Sequence, residues 1–317
     1  MQRVLCIGET TVDLIAFPVE KVELNTDYHY LESFLIKAGG DAHNNAVDMA
    51  RLGNRVTYVG PFGDDIFADN CLESLKKEKV DISNIIRYPG VKQSKSLILL
   101  NSEGKRTFYQ NFASSEAFES ADINTAMLDD ADILQIAGTF HMKKFDGEGA
   151  AVILKKAKEK GVITSMDVTT DRTGRWGEII ECNYPYLDYF LPSIEQAVHL
   201  THKERVSDMA EYFIEKGVGH VVIKAGETGA YYKDKNTAFM CGCYKVPVKD
   251  TTGAGDAFVS GFLTTLGQNT DAVDKMIFAT ACSAQVIQHV GACEGIESFD
   301  QISDFIRQNP LPEIKED

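Results

Sequence analysis

Short apolar runs alternate with amphipathic stretches through most of the chain. Val4–Ile7, Val56–Val59, Ile133–Ile136, Val162–Met166, Tyr189–Leu191 and Val221–Ile223 read as buried strands. Between them, Ala46–Leu52, Phe67–Lys77, Gly149–Lys160 and Met209–Lys216 repeat apolar positions at helical spacing. This alternation argues for an α/β fold, a mostly parallel sheet covered on both faces. Ala254–Leu266 and Asp271–His289 read as two long helices that close it. Two stretches break the rhythm. Leu14–Lys37 and Lys95–Phe112 are strand-like with alternating polarity, and Asn101-Ser102-Glu103-Gly104 marks a hairpin turn in the second. The two are expected to pair into one small β lid over the carboxyl ends of the main strands, where open α/β sheets bind ligands. The expected division is a core of residues 1–13, 38–94 and 113–317 and a lid of residues 14–37 and 95–112.

Composition narrows the function. The 317 residues are 44% hydrophobic and 25% charged, which excludes a disordered or collagen-like chain. Lys and Arg number 32 and Asp and Glu 47, a net charge of −15. A nucleic-acid binder would need a basic face instead. One nucleotide asks only for local positive potential, so it stays open. No apolar run reaches roughly 18 residues, so no membrane partner is expected. The apolar start at Val4–Ile7 is too short for a secretory leader. The 7 cysteines are odd in number and scattered, which suits reduced thiols in the cytoplasm. Cys241-Gly242-Cys243 lacks companion ligands and reads as strand, not metal site.

The strongest chemical signal is Asp250-Thr251-Thr252-Gly253-Ala254-Gly255-Asp256, running into a helix that Thr251 or Thr252 could cap. Gly253 and Gly255 clear side chains from a helix start, where free amides and the dipole make an anion hole. An acid there, Asp256, suits a base that takes a hydroxyl proton while the amides hold a transferring phosphoryl group. An ordinary capped helix is the alternative on chemistry alone. The second signal is Ala38-Gly39-Gly40-Asp41-Ala42-His43-Asn44-Asn45. Paired glycines let a polyol approach the backbone, and Asn44 can both donate to and accept from hydroxyls. His43 reads as a positioned or solvated histidine. Asp13, after the first strand, could accept from two sugar hydroxyls.

These residues resemble the ribokinase/PfkB family of carbohydrate and nucleoside kinases, from the first strand to about Gly295. DTxGAGD matches at 250–256 and GGxxxNxA at 39–46. Gly60–Ala68 is similar to a further family segment, with Ala68 in place of its last glycine. The resemblance implies a ribokinase-like three-layer sandwich with a β lid, and ATP and Mg2+ as cofactors. It implies Asp256 as catalytic base and the amides of Gly253, Ala254 and Gly255 as anion hole. It places Asp13, Gly39, Gly40 and Asn44 on the sugar. It puts Lys224, Gly226, Gly229, Ser193 and Thr252 near the nucleotide, with the helix at 278–289, including Cys282, flanking adenine. Asp250 and the backbone around Thr252 match positions that hold a monovalent cation such as K+ in some members. Lids of the family often pair across a homodimer, which would put contacts in 14–37 and 95–112.

The chain departs from the family pattern at three places. Ser193 and Gln196 stand where members often carry Asn and Glu near Mg2+, so Mg2+ is expected to bind mainly through the nucleotide. Thr169 and Asp171 replace Asn and Arg of a DxNxR segment. An acid there is expected to repel an anionic acceptor, with Arg172 and Arg175 compensating only if their loop bends back. Tyr109 and Asn111 suggest a polar, uncharged lid wall. Tyr28, Tyr30 and Phe34 could stack on a base, or pack the lid or a dimer contact. The expected function is phosphorylation of a small, neutral, ribose- or fructose-like sugar. A nucleoside kinase and a ketodeoxygluconate-type sugar-acid kinase are the alternatives, ahead of a non-catalytic sugar-binding protein. A dinucleotide oxidoreductase is disfavoured because Gly8–Asp13 has one glycine and no GxGxxG.

Overall fold

The computed structural model describes residues 1–22, 25, 28–103 and 105–317. In chain order the strands are β1 Arg3–Gly8, β2 Thr11–Phe17, β3 Ser33–Gly39, β4 Arg55–Val59, β5 Pro61–Phe62, β6 Ile86–Arg87, β7 Lys95–Leu100 and β8 Arg106–Asn111. They continue with β9 Ile133–Thr139, β10 Ile163–Val168, β11 Tyr189–Phe190, β12 His220–Lys224, β13 Ala230–Lys233, β14 Ala238–Cys241 and β15 Ile314–Glu316. The helices are α1 Asp41–Arg51, α2 Ile66–Lys77, α3 Ala113–Ala117, α4 Glu148–Glu159, α5 Gly177–Ile180, α6 Ile194–Thr201, α7 Val206–Glu215, α8 Ala254–Thr265, α9 Ala272–Val286 and α10 Phe299–Gln308.

The main sheet runs β15-β14-β13-β12-β11-β10-β9-β1-β4 among the described residues. From β4 to β12 the pairs are parallel, and β13 to β15 are antiparallel. Its central strands are mostly apolar because both faces are covered. In β1, Val4 and Cys6 join one core with residues of α1, α2, α8, α9 and α10. Leu5 and Ile7 join the other with residues of α4, α6 and α7. The expected α/β sandwich is therefore found, and each expected strand and helix is present within a few residues.

A second sheet, β3-β2-β7-β8, holds both insertions. It is wider than the sequence suggested. Register from Thr11↔Gly39 to Phe17↔Ser33 continues past residue 14 to the base of the sheet, so Asp13 and Gly39 lie on strands β2 and β3 rather than in the core segments. The expected turn closes through Asn101, whose Oδ1 accepts from the amides of Glu103 (3.0 Å) and Lys105 (2.8 Å). Residue 104 of that turn, and residues 23, 24, 26 and 27 of the first insertion, lie outside the described residues.

Candidate active site

The carboxyl end of β1 and the starts of α1 and α8 meet at one point. Gly253 caps α8 with φ +77°, and a Cβ there would sit 2.0 Å from the Ala292 carbonyl oxygen. Only glycine fits. Neither threonine caps the helix with its side chain, as had been expected. The Thr252 hydroxyl instead donates to Asp250 Oδ1 (2.7 Å). The Ala254 amide reaches the Thr251 carbonyl at 3.3 Å. Gly255 and Asp256 follow in the first turn, where amides have no partner one turn back.

Asp256 is held from α1. Asn44 Nδ2 donates to its Oδ2 at 2.7 Å. Asn45 Nδ2 donates to the Asp256 carbonyl at 3.1 Å, and Gln135 Nε2 donates to Asn45 Oδ1 at 3.1 Å. Burial pushes the Asp256 carboxyl up to about 7, against the opposing effects of the Asn44 hydrogen bond and Lys224. Asn44, expected on a sugar hydroxyl, thus orients the acid, and its Oδ1 accepts from the Cys293 thiol (3.3 Å).

Gly40 caps α1 with φ +96°, and a Cβ would come within 2.9 Å of Glu9 O and Thr11 N. Above the neighbouring glycine lies Asp13: a Cβ at Gly39 would meet its Oδ2 at 2.5 Å. Burial raises the Asp13 carboxyl to about 7. Asp13 lines a cavity of about 380 Å³ between the small sheet and α1, α2 and the Gly291–Glu294 segment. Asp256 connects to it through two side chains, Cys293 and Asn44. The Tyr109 and Asn111 wall is corrected by register. Phe108 pairs with Ile98, and Ile98, Ile15 and Arg106 face the cavity, so Tyr109 and Asn111 lie on the opposite face. His43 is buried against Ser74 Oγ (3.1 Å) and pushed down to about 4 by that burial, so it is positioned, not solvated.

On the other flank, Lys224 Nζ pairs with Asp167 Oδ2 at 2.7 Å, both largely buried. A Cβ at Gly255 would stand 3.5 Å from Lys224 Nζ, so the lysine reaches the start of α8. Gly226 opens the next turn with φ +58° and nothing within 4 Å of its missing Cβ. Gly229 ends that turn with φ +105°, its missing Cβ blocked by Cys241 O at 1.9 Å. Ser193 bridges to Lys224 and caps α6 reciprocally with Gln196 (2.6 and 3.3 Å). Cys282 is corrected: it is fully buried, its Sγ lying 2.7 Å from where a Gly261 Cβ would be, so it packs α9 on α8 and is closed off from the surface. Asp171 is corrected as well. Its carboxylate turns into its own loop, accepting from Thr173 N (2.8 Å) and Trp176 N (2.7 Å), which holds it below the usual carboxylate range against the cost of its burial. Arg172 reaches Glu116 (2.6 Å) instead of a ligand.

Sequence reasoning missed four groups. Asp41, in the first turn of α1, is raised well above the usual range by burial and by the charges of Asp256, Glu9 and Asp167. Glu9 Oε1 and His141 Nδ1 form a buried pair at 2.8 Å. Asn45 joins α1 to α8. Arg106 crosses from β8 to the Asp250–Thr252 segment, donating to the Thr252 hydroxyl and to Thr251 Oγ1 (3.0 Å). A motif search overlooks all four because each lies outside a fixed pattern or at one of its variable positions.

The sequence profile of the pfkB family carbohydrate kinases matches residues 1–298. The chain belongs to this family. It is a carbohydrate kinase, so its reaction is phosphoryl transfer to a sugar. A Staphylococcus aureus ribokinase is 25% identical over 95% of this chain and 98% of its own. A Bacillus subtilis 2-dehydro-3-deoxygluconokinase is 26% identical over 88% and 89%. An Escherichia coli structure provisionally named ribokinase II, in complex with ATP and Mg2+, superposes with a TM-score of 0.85 at 23% identity, covering 98% of this chain and all of that one. The ribokinase-like fold expected from the motifs is thereby found.

Proposed function

We propose that the chain transfers the terminal phosphoryl group of ATP to a hydroxyl of a small neutral sugar, with Asp256 as the base. The observation that carries this is the Asn44–Asp256 hydrogen bond at the first turn of α8. It points a carboxylate into the spot where helix amides stabilise anions. Asp256 takes the acceptor proton as the oxygen attacks. The amides at Gly253–Asp256 and the Lys224 ammonium hold the charge that develops on the phosphoryl oxygens. Asp13 and the Gly39–Gly40 backbone orient the acceptor. The turn Gly226–Gly229 lies beside Lys224 and suits the nucleotide. The small sheet acts as a lid that excludes water.

The donor set fits a triphosphate: a glycine-lined helix start with a lysine beside it. Mg2+ would be held mainly by the phosphates of the bound nucleotide. It would supply charge neutralisation on the triphosphate.

Neutrality of the acceptor rests on cavity charges, not on Asp171. Lys37 pairs with Glu294 (3.5 Å), Arg51 with Glu78 (2.8 Å) and Arg106 with Asp250 (3.6 Å). Lys77 acts on the same Glu78. A sugar acid would have to break such pairs. The test is ADP release with MgATP across neutral sugars, sugar acids, sugar phosphates and nucleosides. A neutral sugar is expected to turn over fastest. A faster sugar acid would overturn the neutral reading, and a faster nucleoside would favour that branch of the family.

The lid also suggests a homodimer. Phe34, Leu97, Leu99 and Tyr109 lie on its face away from the cavity, with Phe34 and Tyr109 55% and 51% exposed. A second copy would cover them.

A further inference from the structure

The resemblance places a monovalent cation, held in some members, at Asp250 and the backbone around Thr252, and here the Asp250 carboxylate is already engaged. Asp250 Oδ1 accepts from the Thr252 amide (2.9 Å) and the Thr252 hydroxyl (2.7 Å), and Oδ2 accepts from the Gly291 amide (3.1 Å). Three of about four lone-pair directions are thus used by N–H and O–H donors. A fourth neighbour is already a cation. The Arg106 guanidinium stands 3.6 Å from Oδ1 and donates to the hydroxyls of Thr251 and Thr252. Its side chain is 24% exposed and that of Asp250 14%, so solvent screens the pair weakly. A cation entering here would meet a like charge 3.6 Å from Asp250 Oδ1.

We infer that Arg106 of the lid supplies the positive charge that a monovalent cation would bring to Asp250, so this kinase works without such a cation. This rests on the lid and kinase readings above. Arg106 opens β8 and belongs to the sheet read above as a lid, whereas Asp250 and Thr252 lead directly into α8. The charge therefore reaches the segment that shapes the anion hole only when the lid is down over the cavity. Arg106 is a positioning residue: it acts through the Thr252 hydroxyl and the Asp250 carboxylate on the first turn of α8. Closure over an acceptor and readiness of the anion hole become one event. A free ion would keep the two independent.

Two measurements test this on the full-length protein. The first is thermal unfolding in KCl against tetramethylammonium chloride at matched ionic strength, which needs no turnover. The wild type is expected to melt at the same temperature in both salts. A K+-specific rise in the wild type overturns the inference, because a ligand of the folded state raises its melting point. The second is the rate of ADP release with the best acceptor in the same two salts. The wild type is expected to show equal rates. Arg106→Ala is expected to lose rate in tetramethylammonium, chiefly in kcat, and to regain much of it in K+. A wild type that needs K+, an Arg106→Ala variant as fast as wild type without K+, or a loss that K+ does not restore each overturns it. Arg106→Lys keeps the charge and is expected to remain K+-independent, which separates this role from a folding defect. If no acceptor turns over, the proposed function fails while the melting comparison still decides the cation question.

Discussion

Desolvation at the start of α8 gives Asp256 a carboxyl pushed up to about 7, close to the operating range of a general base. The base must be ionised to accept a proton. kcat/KM is therefore expected to rise with pH through a pKa near 7 and to level off above it, read from initial rates across pH. Asn44 donates to the charged form of this acid at 2.7 Å, and such a bond favours ionisation. Asn44→Ala is expected to move the rising limb to higher pH. An unmoved limb would mean that Asn44 does not tune the base. The DTTGAGD and GG residues were readable because their chemistry needs fixed spacing. Asn44 was readable as a site residue but not in its role, because only the meeting of α1 and α8 shows its amide facing Asp256. Cys282 misled for the converse reason: a residue on the right helix can face the wrong way, here into Gly261.

At the scale of elements, α1 and α8 are joined by Asn45, fully buried, which bonds to the Asp256 carbonyl, Ser260 and Gln135. Asn45→Ala leaves the buried Gln135 amide without its partner and removes the side-chain link to the Asp256 carbonyl. Each buried unpaired group costs about 1–3 kcal/mol. A clear fall in the unfolding midpoint is expected, and an unchanged midpoint would show that packing alone holds the two helices. The main strands were legible because both faces of the sheet are covered, so their residues are mostly apolar on both faces. The small sheet was legible as a period of two, but that period does not say which face looks inward. Tyr109 and Asn111 were chosen where Arg106 and Phe108 face the cavity for that reason. The start of β2 was hidden because Thr11 and Asp13 are polar.

The whole molecule is a carbohydrate kinase whose small sheet has a cavity face and an outer face with exposed Phe34 and Tyr109. If the outer face pairs two copies, sedimentation at micromolar concentration is expected to give a dimer. Phe34→Glu with Tyr109→Glu is expected to give a monomer, since both side chains point away from the cavity. A wild-type monomer would remove the lid as an interface. The central claim concerns Asp256, and one comparison reaches it directly: kcat with MgATP and the best acceptor for wild type and Asp256→Asn, each checked for an unchanged melting point and retained ATP binding. The account predicts a fall of at least ~10²-fold with acceptor affinity little changed. A variant that keeps most of its kcat would contradict it, and would mean that the proton leaves the acceptor by another route.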